Sequence, residues 1–273
     1  MFRALFVIAV MICASTAQAA KELAVTIDDL PFLYGRYLPD SVGSERFRDV
    51  LKILRQHDVK VIGFVVGSQI NERRQQLLDE FVAEGHVVGN HTFTHPDLNT
   101  TSVDWYNDDI MKCEEAIGPW VDTAKYFRYP CLHQGSTEVK YSTVSQFLAV
   151  HKYVNVPVTI DNDDWRYNKE YAEALNEQDS AAADSIGCAY IAHMQEMTLH
   201  YDSVALAKLN RDVKHILLIH MTQLNSVYLG QLLTWHEEQG WRFITPAEAL
   251  TDSVYQVRDT YIGPNGTSWL LRF

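Results

Sequence analysis

Short apolar runs alternate with longer amphipathic segments along most of this chain. The short runs are rich in Val, Ile, Leu and Phe, which is typical of buried strands. They predict seven strands, over residues 23–27, 59–66, 86–89, 125–128, 153–160, 215–219 and 242–244. Because strands that are buried on both faces lose the polar–apolar alternation, this pattern favours a parallel sheet covered by helices.

The segments between these runs carry apolar residues at helical spacing and predict the covering helices. We expect helices over residues 44–57, 72–84, 103–117, 139–150 and 226–239, and a last helical turn from Pro246. An Ala-rich stretch over 169–210 is also predicted to be helical, with a break near Gly187. Since no repeat or Pro/Gly-rich linker divides the chain, we expect a single α/β domain of about seven parallel strands.

The amino terminus is typical of a secretory signal peptide. Arg3 is followed by an apolar run over residues 4–13, too short to span a bilayer, and by small residues at 17 and 19. We expect a signal peptide over residues 1–19, a single domain over 20–273, and a secreted or periplasmic protein. Because no second long apolar run follows, stable membrane insertion is not expected.

The formal net charge of the chain is −12. An acidic surface argues against nucleic acid as a partner, because the phosphate backbone binds cationic proteins. Three cysteines follow the predicted signal peptide: Cys113, Cys131 and Cys188. In an oxidising compartment they allow one disulfide, and we expect Cys131 to pair with one of the other two. The sequence does not indicate an oligomeric state.

Residues with catalytic chemistry recur where predicted strands end. Asp28 and Asp29 end the first strand, and His91, Arg128 and His220 end or follow later strands. Carboxyl ends of parallel strands meet at one edge, whether the sheet closes into a barrel or stays open. We therefore expect these side chains to lie close together.

His91 and His95 have a spacing that brings two imidazoles to one side of a helical turn, although Pro96 limits any helix there to a short turn or loop. A metal ion bound by two imidazoles and one carboxylate would keep a coordination position open for water or substrate, which is the pattern of catalytic zinc. Asp28 and Asp29 are neighbours on an extended segment. Their side chains point to opposite faces unless the strand end twists or a turn redirects one.

Five segments, in order, resemble the five sequence motifs of the polysaccharide deacetylases, which form carbohydrate esterase family four. They are TIDD at 26–29, GNHTFTHP at 89–96, RYP at 128–130, DNDDW at 161–165 and ILLIH at 216–220. One such motif would be weak evidence, whereas five in order are specific. The resemblance covers nearly the whole chain after the predicted signal peptide.

This resemblance implies a distorted (β/α) barrel with a groove at its top. It implies that Asp29, His91 and His95 bind zinc, or another divalent metal such as cobalt or nickel. Asp28 would be the general base that takes a proton from water. Arg128 would hold Asp28 by a charge-assisted hydrogen bond.

The resemblance also implies roles on the substrate side of the groove. His220 would be the general acid that protonates the leaving amine, and Asp164 would orient its imidazole. The backbone N–H of Cys131 would stabilise the oxyanion. Trp165 would wall one side of the groove, and Leu218 would line the acetyl pocket.

The chain departs from the family pattern near the groove. Leu30-Pro31 follows the two aspartates where the family usually has Gly-Pro, and residues 131–135 replace an aromatic residue and a glycine. Met221 replaces the aspartate that commonly follows the fifth-motif histidine. An aspartate of the fourth motif would then be the only support of that histidine, and Asp161 and Asp163 stay open as alternatives for this role.

The implied activity is N-deacetylation of an acetylated sugar polymer or oligomer, with peptidoglycan or chitin as the type of substrate. Two alternatives stay open. The first is an O-acetyl esterase that uses the same metal site on a glycan such as acetylated xylan. The second is a carbohydrate-binding protein that has kept the groove and lost turnover.

Overall fold

The computed structural model describes residues 20–32, 39–121 and 124–273. The predicted signal peptide over residues 1–19 lies outside the described residues. Within the described ranges, seven strands and eight α-helices alternate along the chain. None of the described helices is both long enough and apolar enough to cross a membrane.

The strands form one parallel sheet close to the predicted positions. They are β1 (Lys21–Leu30), β2 (Ile62–Val65), β3 (Val87–Asn90), β4 (Lys125–Phe127), β5 (Tyr153–Asn155), β6 (Lys214–His220) and β7 (Trp241–Phe243). Their order is β5-β4-β3-β2-β1-β6, and β7 pairs with the amino-terminal end of β1. β1 is buried from residue 23 onward, which explains its long apolar run.

The sheet curls until its two ends meet. After β5 the chain crosses to β6, where Ile160 forms a bridge with Leu217 and accepts a hydrogen bond from the N–H of Leu218. The segment predicted as one strand over 153–160 therefore contacts β4 at its start and β6 at its end. This closure agrees with a distorted barrel, and it gathers the carboxyl ends of the strands around one opening.

Eight helices cover the sheet, and their ends differ by a few residues from the predicted ones. They are α1 (Asp40–Gln56), α2 (Glu72–Ala83), α3 (Val103–Ile117), α4 (Glu138–Val150), α5 (Asp164–Asn176), α6 (Ser180–Leu209), α7 (Asn225–Glu238) and α8 (Pro246–Ala249). Polar side chains fix several starts. Asn71 caps α2 by accepting two backbone N–H groups, and Thr245 and Glu248 form a capping box at α8.

The long helical stretch breaks at a different place from the predicted one. The chain turns at residues 177–179, where Gln178 has a φ of 61° and Asp179 caps α6 by accepting the N–H of Ala182. The predicted break near Gly187 is wrong. Gly187 lies inside α6, where a Cβ would lie 2.0 Å from the ring of Tyr228 on α7. Glycine here permits close packing of two helices and does not end a helix.

The three described cysteines are free, so the expected disulfide from Cys131 is wrong. Cys113 is buried on α3, with its Sγ 3.4 Å from the carbonyl oxygen of Val65, whereas Cys131 and Cys188 are exposed. Burial raises the pKa of the Cys113 thiol to about 12. Cys113 therefore stays protonated and packs as a core residue.

Candidate active site

A cavity of about 550 Å³ opens at the carboxyl ends of the strands. Eight of the ten residues singled out in the sequence line it: Asp28, Asp29, His91, His95, Cys131, Trp165, Leu218 and His220. The other two, Arg128 and Asp164, are buried behind it, in contact with Asp28 and His220. The fold thus brings all the predicted site residues to one place.

Asp28 and Asp29 both reach this cavity although they are consecutive residues of β1. The pairing of β1 with β2 changes register between Ile27 and Leu30, and Asp29 has a φ of 62°. A left-handed residue turns the strand, so two side chains that would face opposite ways reach the same space. This irregularity is the redirecting turn that the sequence requires if both carboxylates are to act together.

His91 and His95 lie on a loop and not on a helical turn. Thr92 and His95 have φ values of 65° and 57°. The buried carboxylate of Asp109 on α3 holds the loop, because its Oδ2 accepts the N–H groups of Phe93 and Thr94. These side-chain hydrogen bonds replace the backbone bonds of a helix. A loop is one of the two forms that Pro96 allows here, and the two imidazole centroids lie 4.8 Å apart.

Asp29, His91 and His95 fit a divalent metal ion. Their ligand-capable atoms all lie within 4.8 Å of one another. Oδ1 of Asp29 lies 3.4 Å from Nε2 of His95 and 3.7 Å from Nε2 of His91. That oxygen is buried and has no hydrogen-bond partner among the described residues, a costly state for a carboxylate unless a cation lies beside it. A two-histidine, one-carboxylate set leaves a coordination position open.

His91 is prepared to act as a neutral ligand. Its Nδ1 lies 2.8 Å from the carbonyl oxygen of Arg128, to which it donates, so the lone pair of Nε2 faces the cluster. Burial lowers the pKa of His91 well below its ordinary value, and the charge of His95 adds to this effect. Neutral imidazole is the form that binds a metal.

Arg128 holds Asp28 from behind the cavity. Its Nη1 donates to Oδ1 of Asp28 at 3.1 Å, and its Nη2 donates to Oγ1 of Thr26 at 2.9 Å. The guanidinium lies 4.5 Å from the ring centroid of Phe64. Burial raises the pKa of Asp28, and the charge of Arg128 opposes that rise without cancelling it. Asp28 is therefore a fixed carboxylate with a raised proton affinity.

His220 lies at the end of β6, where it pairs in register with Asp28 of β1. Its Nδ1 lies 2.6 Å from Oδ1 of Asp164, and its backbone N–H donates to Oδ2 at 2.7 Å. Burial disfavours the charged imidazole, but the Asp164 carboxylate outweighs burial and raises the pKa of His220 to about 9. Of the three candidate aspartates, Asp164 is the one in contact, and Asp161 and Asp163 are not.

Two asparagines and a tyrosine support this pair and were not predicted. Nδ2 of Asn225 donates to Oδ2 of Asp164 at 3.1 Å, and the hydroxyl of Tyr190 donates to Oδ1 of Asn225 at 2.6 Å. Oδ1 of Asn162 accepts the N–H of Asp164 at 3.0 Å. Asn162 lies inside the fourth motif, whereas Asn225 and Tyr190 lie outside all five motifs and had no local signal.

The rim near Cys131 is shaped by the end of the chain. Cys131 and Leu132 both have a φ of 55°. Gly266 packs against this loop so closely that a Cβ there would lie 1.9 Å from the carbonyl oxygen of Cys131. Close by, Nδ2 of Asn99 donates to the carbonyl oxygen of Pro264 at 2.8 Å. No pattern in the sequence predicted that the carboxy-terminal segment reaches the site.

One face of α6 also lines the cavity. His193, Met197 and Tyr201 belong to this face, and their four-residue spacing places them in one row along the helix. That spacing was a usable signal in the sequence, but none of these residue types marks a site without the cavity in view.

Comparison with known proteins supports a family assignment. The family profile described as polysaccharide deacetylase matches residues 15–147. The chain is 31% identical over 146 residues to a peptidoglycan-N-acetylglucosamine deacetylase of Bacillus cereus, which covers 53% of this chain and 46% of that protein. It is 41% identical over 69 residues to a chitooligosaccharide deacetylase of a Bradyrhizobium species, covering 25% of this chain and 31% of that protein. The chain therefore spans less than half the length of these relatives.

Solved structures share the fold. The peptidoglycan N-acetylglucosamine deacetylase Bc1960 matches with a TM-score of 0.56 at 22% identity, over 85% of this chain and 88% of that chain. A Bacillus anthracis protein described as a pseudoenzyme of carbohydrate esterase family four matches with a TM-score of 0.57 at 21% identity, over 85% of this chain and 66% of that one. At these identities the likeness concerns the fold.

The matched range contains the first three motifs, and the last two motifs complete the same cavity. Sequence match, motif order and fold agree with one another, and the chain is similar to the polysaccharide deacetylase family, whose profile matches just under half of it.

Proposed function

We propose that this protein is a zinc-dependent deacetylase that hydrolyses acetamido groups of N-acetylated sugars in a polysaccharide or oligosaccharide. The observation that carries the proposal is one cavity that three functional parts share. Asp29, His91 and His95, here called the metal-capable group, line it together with the buried carboxylate of Asp28 and the charged imidazole of His220. Amide hydrolysis requires activation of a water and protonation of the leaving amine. This arrangement offers one group for each task.

Asp28 is the proposed general base. Its Oδ1 accepts the hydrogen bond from Arg128, while its Oδ2 lies 3.7 Å from Nε2 of His91, on the side of the metal-capable group. Burial raises the pKa of Asp28, which increases its tendency to take a proton from the attacking water. Arg128 holds the carboxylate in place during this transfer.

His220 is the proposed general acid. Its pKa of about 9 keeps the ring protonated at neutral pH, because the Asp164 carboxylate outweighs the effect of burial. Nδ1 is occupied by Asp164, so Nε2 is the atom that can pass a proton to the leaving nitrogen. Protonation here matters because an unprotonated amine is a poor leaving group.

Asp29, His91 and His95 would hold the metal, with zinc as the proposed ion and cobalt or nickel as ions that suit the same ligands. When bound, the ion would supply Lewis-acid polarisation of the acetyl carbonyl. The buried Oδ1 of Asp29 accepts no hydrogen bond from the part of the chain that the structure describes, which supports its assignment as the anionic ligand.

The remaining cavity residues would receive the substrate. We assign the N–H of Cys131 to the developing oxyanion, Leu218 to the acetyl methyl group, and Trp165, which is 42% exposed, to a sugar ring. The names of the relatives place their action on N-acetylated sugars of peptidoglycan and of chitooligosaccharides. With the predicted signal peptide over residues 1–19, these names support an acetylated glycan substrate outside the cytoplasm.

Acetate release tests this proposal. Purified protein is incubated with chitooligosaccharides, peptidoglycan fragments and acetylated xylan, before chelation, after chelation and after zinc is returned. We expect release from an N-acetylated glycan, its loss with chelator, its return with zinc, and one divalent ion per chain. Release from xylan alone would favour the O-acetyl esterase. Glycan binding without acetate release would contradict an enzyme and favour the binding protein.

A further inference from the structure

α6 is a rigid wall of the cavity. The face that carries His193 and Met197 lies beside a stripe that is locked into the core, where Tyr190 and Met194 are fully buried. The Tyr190 hydroxyl is in turn tied to Asn225 behind His220. Side chains on such an anchored helix hold their positions better than side chains on a loop. The face is therefore suited to fixing a ligand beside the reacting group.

The polar end of this wall is His193. Its Nε2 accepts the N–H of Asp163 at 3.4 Å, and its ring centroid lies 5.1 Å from that of Tyr167. Accepting at Nε2 requires the neutral ring with its proton on Nδ1. That Nδ1–H makes no hydrogen bond to another described residue, so it is free to donate to a ligand.

The rest of the wall combines apolar surface with one hydroxyl. Met197 is half-buried and gives a polarisable surface, and Tyr201 is 8% exposed. The Tyr201 hydroxyl makes no hydrogen bond within the described ranges. Trp165 of α5 lines the same cavity with 42% of its surface exposed. A pyranose ring has apolar C–H faces and a polar hydroxyl edge, and this mixture of surfaces complements both.

The charge of the cavity disfavours one class of sugar. Among the described residues no lysine or arginine lines it, whereas Asp161 and Asp163 do. Burial raises the pKa of Asp161 to about 6, so this carboxyl is mostly ionised at neutral pH. Arg166 lies 3.5 Å from Asp163 but does not line the cavity. A carboxylate-bearing sugar placed beside these two aspartates would meet like charge, with no lysine or arginine in the cavity lining to offset it.

We propose that His193, Met197 and Tyr201, together with Trp165, form a subsite for an uncharged pyranose ring next to the sugar that is deacetylated, and that this subsite disfavours rings that carry a carboxylate. The inference rests on the proposed function, because it concerns the substrate of the same site. The cavity of about 550 Å³ lies within the range that encloses drug-sized ligands, which leaves room for more than an acetamido group.

The test compares Met197→Arg with Leu199→Arg, since Leu199 is 50% exposed on the same helix and does not line the cavity. Substrates are a chitotetraose and a peptidoglycan oligosaccharide without stem peptides, whose lactyl groups carry free carboxylates. For Met197→Arg we expect a KM for chitotetraose about tenfold higher with kcat nearly unchanged, equivalent to the loss of one good contact. The ratio of kcat/KM for chitotetraose to kcat/KM for the peptidoglycan oligosaccharide should also fall about tenfold. Leu199→Arg should match the wild type in both respects.

Metal content and thermal unfolding check that each variant is folded, and Met197→Ala, which only shortens the side chain, should raise the KM for chitotetraose about threefold. If the wild type is active but Met197→Arg behaves like Leu199→Arg, or if the wild type prefers the carboxylate-bearing substrate, the subsite assignment is overturned. If the wild type releases acetate from no glycan, the proposed function itself fails, which is a different result.

Discussion

Three buried charged residues position the candidate active site. Arg128, Asp164 and Asp109 are each 1% exposed, and each bonds either a residue that lines the cavity or the loop that carries the two histidines. A buried charge is costly unless it is paired and hydrogen-bonded, so such groups rarely persist for stability alone. Here their partners are Asp28, His220 and the backbone around Thr94. Each of them fixes the direction of a reactive group.

Replacing Asp164 by asparagine tests this coupling through the pH dependence of kcat. Protonated His220 is present below its pKa of about 9 and is lost as pH rises through that value. Without the carboxylate, burial dominates and the pKa falls, so the alkaline limb of the profile should move down by about one to three units. A bound metal ion would lower the pKa of His220 in the wild type and in the Asp164→Asn variant alike. The prediction therefore concerns the difference between these two pKa values. An alkaline limb that stays where it is would contradict the role of His220 as the acid.

At this scale the sequence predicted which residues lie together at the cavity, but not which residues hold them in place. All ten predicted site residues lie at the cavity or directly behind it, because the motifs name them individually. Asp109 and Asn225 were missed, because their roles depend on hydrogen bonds that only the fold creates. The cysteine pairing was wrong since Cys113 is enclosed in the core and Cys131 lies on the rim.

At the scale of elements, the cavity is built from irregular ends of regular strands. Left-handed residues other than glycine recur around it: Asp29, Thr92, His95, Cys131 and Leu132. Such conformations cost free energy and persist where the surroundings hold them. The supporting contacts are visible in two cases, Asp109 beneath the histidine loop and Gly266 against the Cys131 loop.

Gly266→Ala tests the contact between the carboxy-terminal segment and the rim. The added Cβ would lie 1.9 Å from the carbonyl oxygen of Cys131, so the loop must shift and its N–H must leave its position. We expect kcat to fall about tenfold to a hundredfold, with metal content unchanged. Gly118→Ala is the matched control, because a Cβ there meets no described residue within 4 Å and φ is −45°. Equal kcat for the two variants would show that this contact does not position the rim.

Element types followed from periodicity, and element boundaries depended on tertiary contacts. The strands were recognisable because β1 and β6 are buried on both faces and need continuous apolar runs. The break before α6 was misplaced because glycine is a weak helix former, whereas the actual signal is the Asp179 cap. Gly187 is explained only by the neighbouring Tyr228, which sequence spacing does not show.

At the scale of the whole molecule, both halves of the chain are needed for one site. The metal-capable residues and Asp28 come from the half that the family profile matches, over residues 15–147. His220, its partner Asp164 and the α6 wall come from the other half. Barrel closure through Ile160 and Leu217 brings the two halves together, so a fragment with only the matched half would lack His220, the proposed general acid.

The most direct test of the account is metal content measured beside acetate release for Asp28→Asn and Asp29→Asn. The two side chains are neighbours on β1, yet only Asp29 belongs to the metal-capable group. Asp29→Asn should lose the metal and, with it, activity. Asp28→Asn should keep one ion per chain, because the three ligands remain, while acetate release falls by ~100- to 10,000-fold through loss of the general base. An Asp28→Asn protein that binds metal and deacetylates at nearly the wild-type rate would contradict the account.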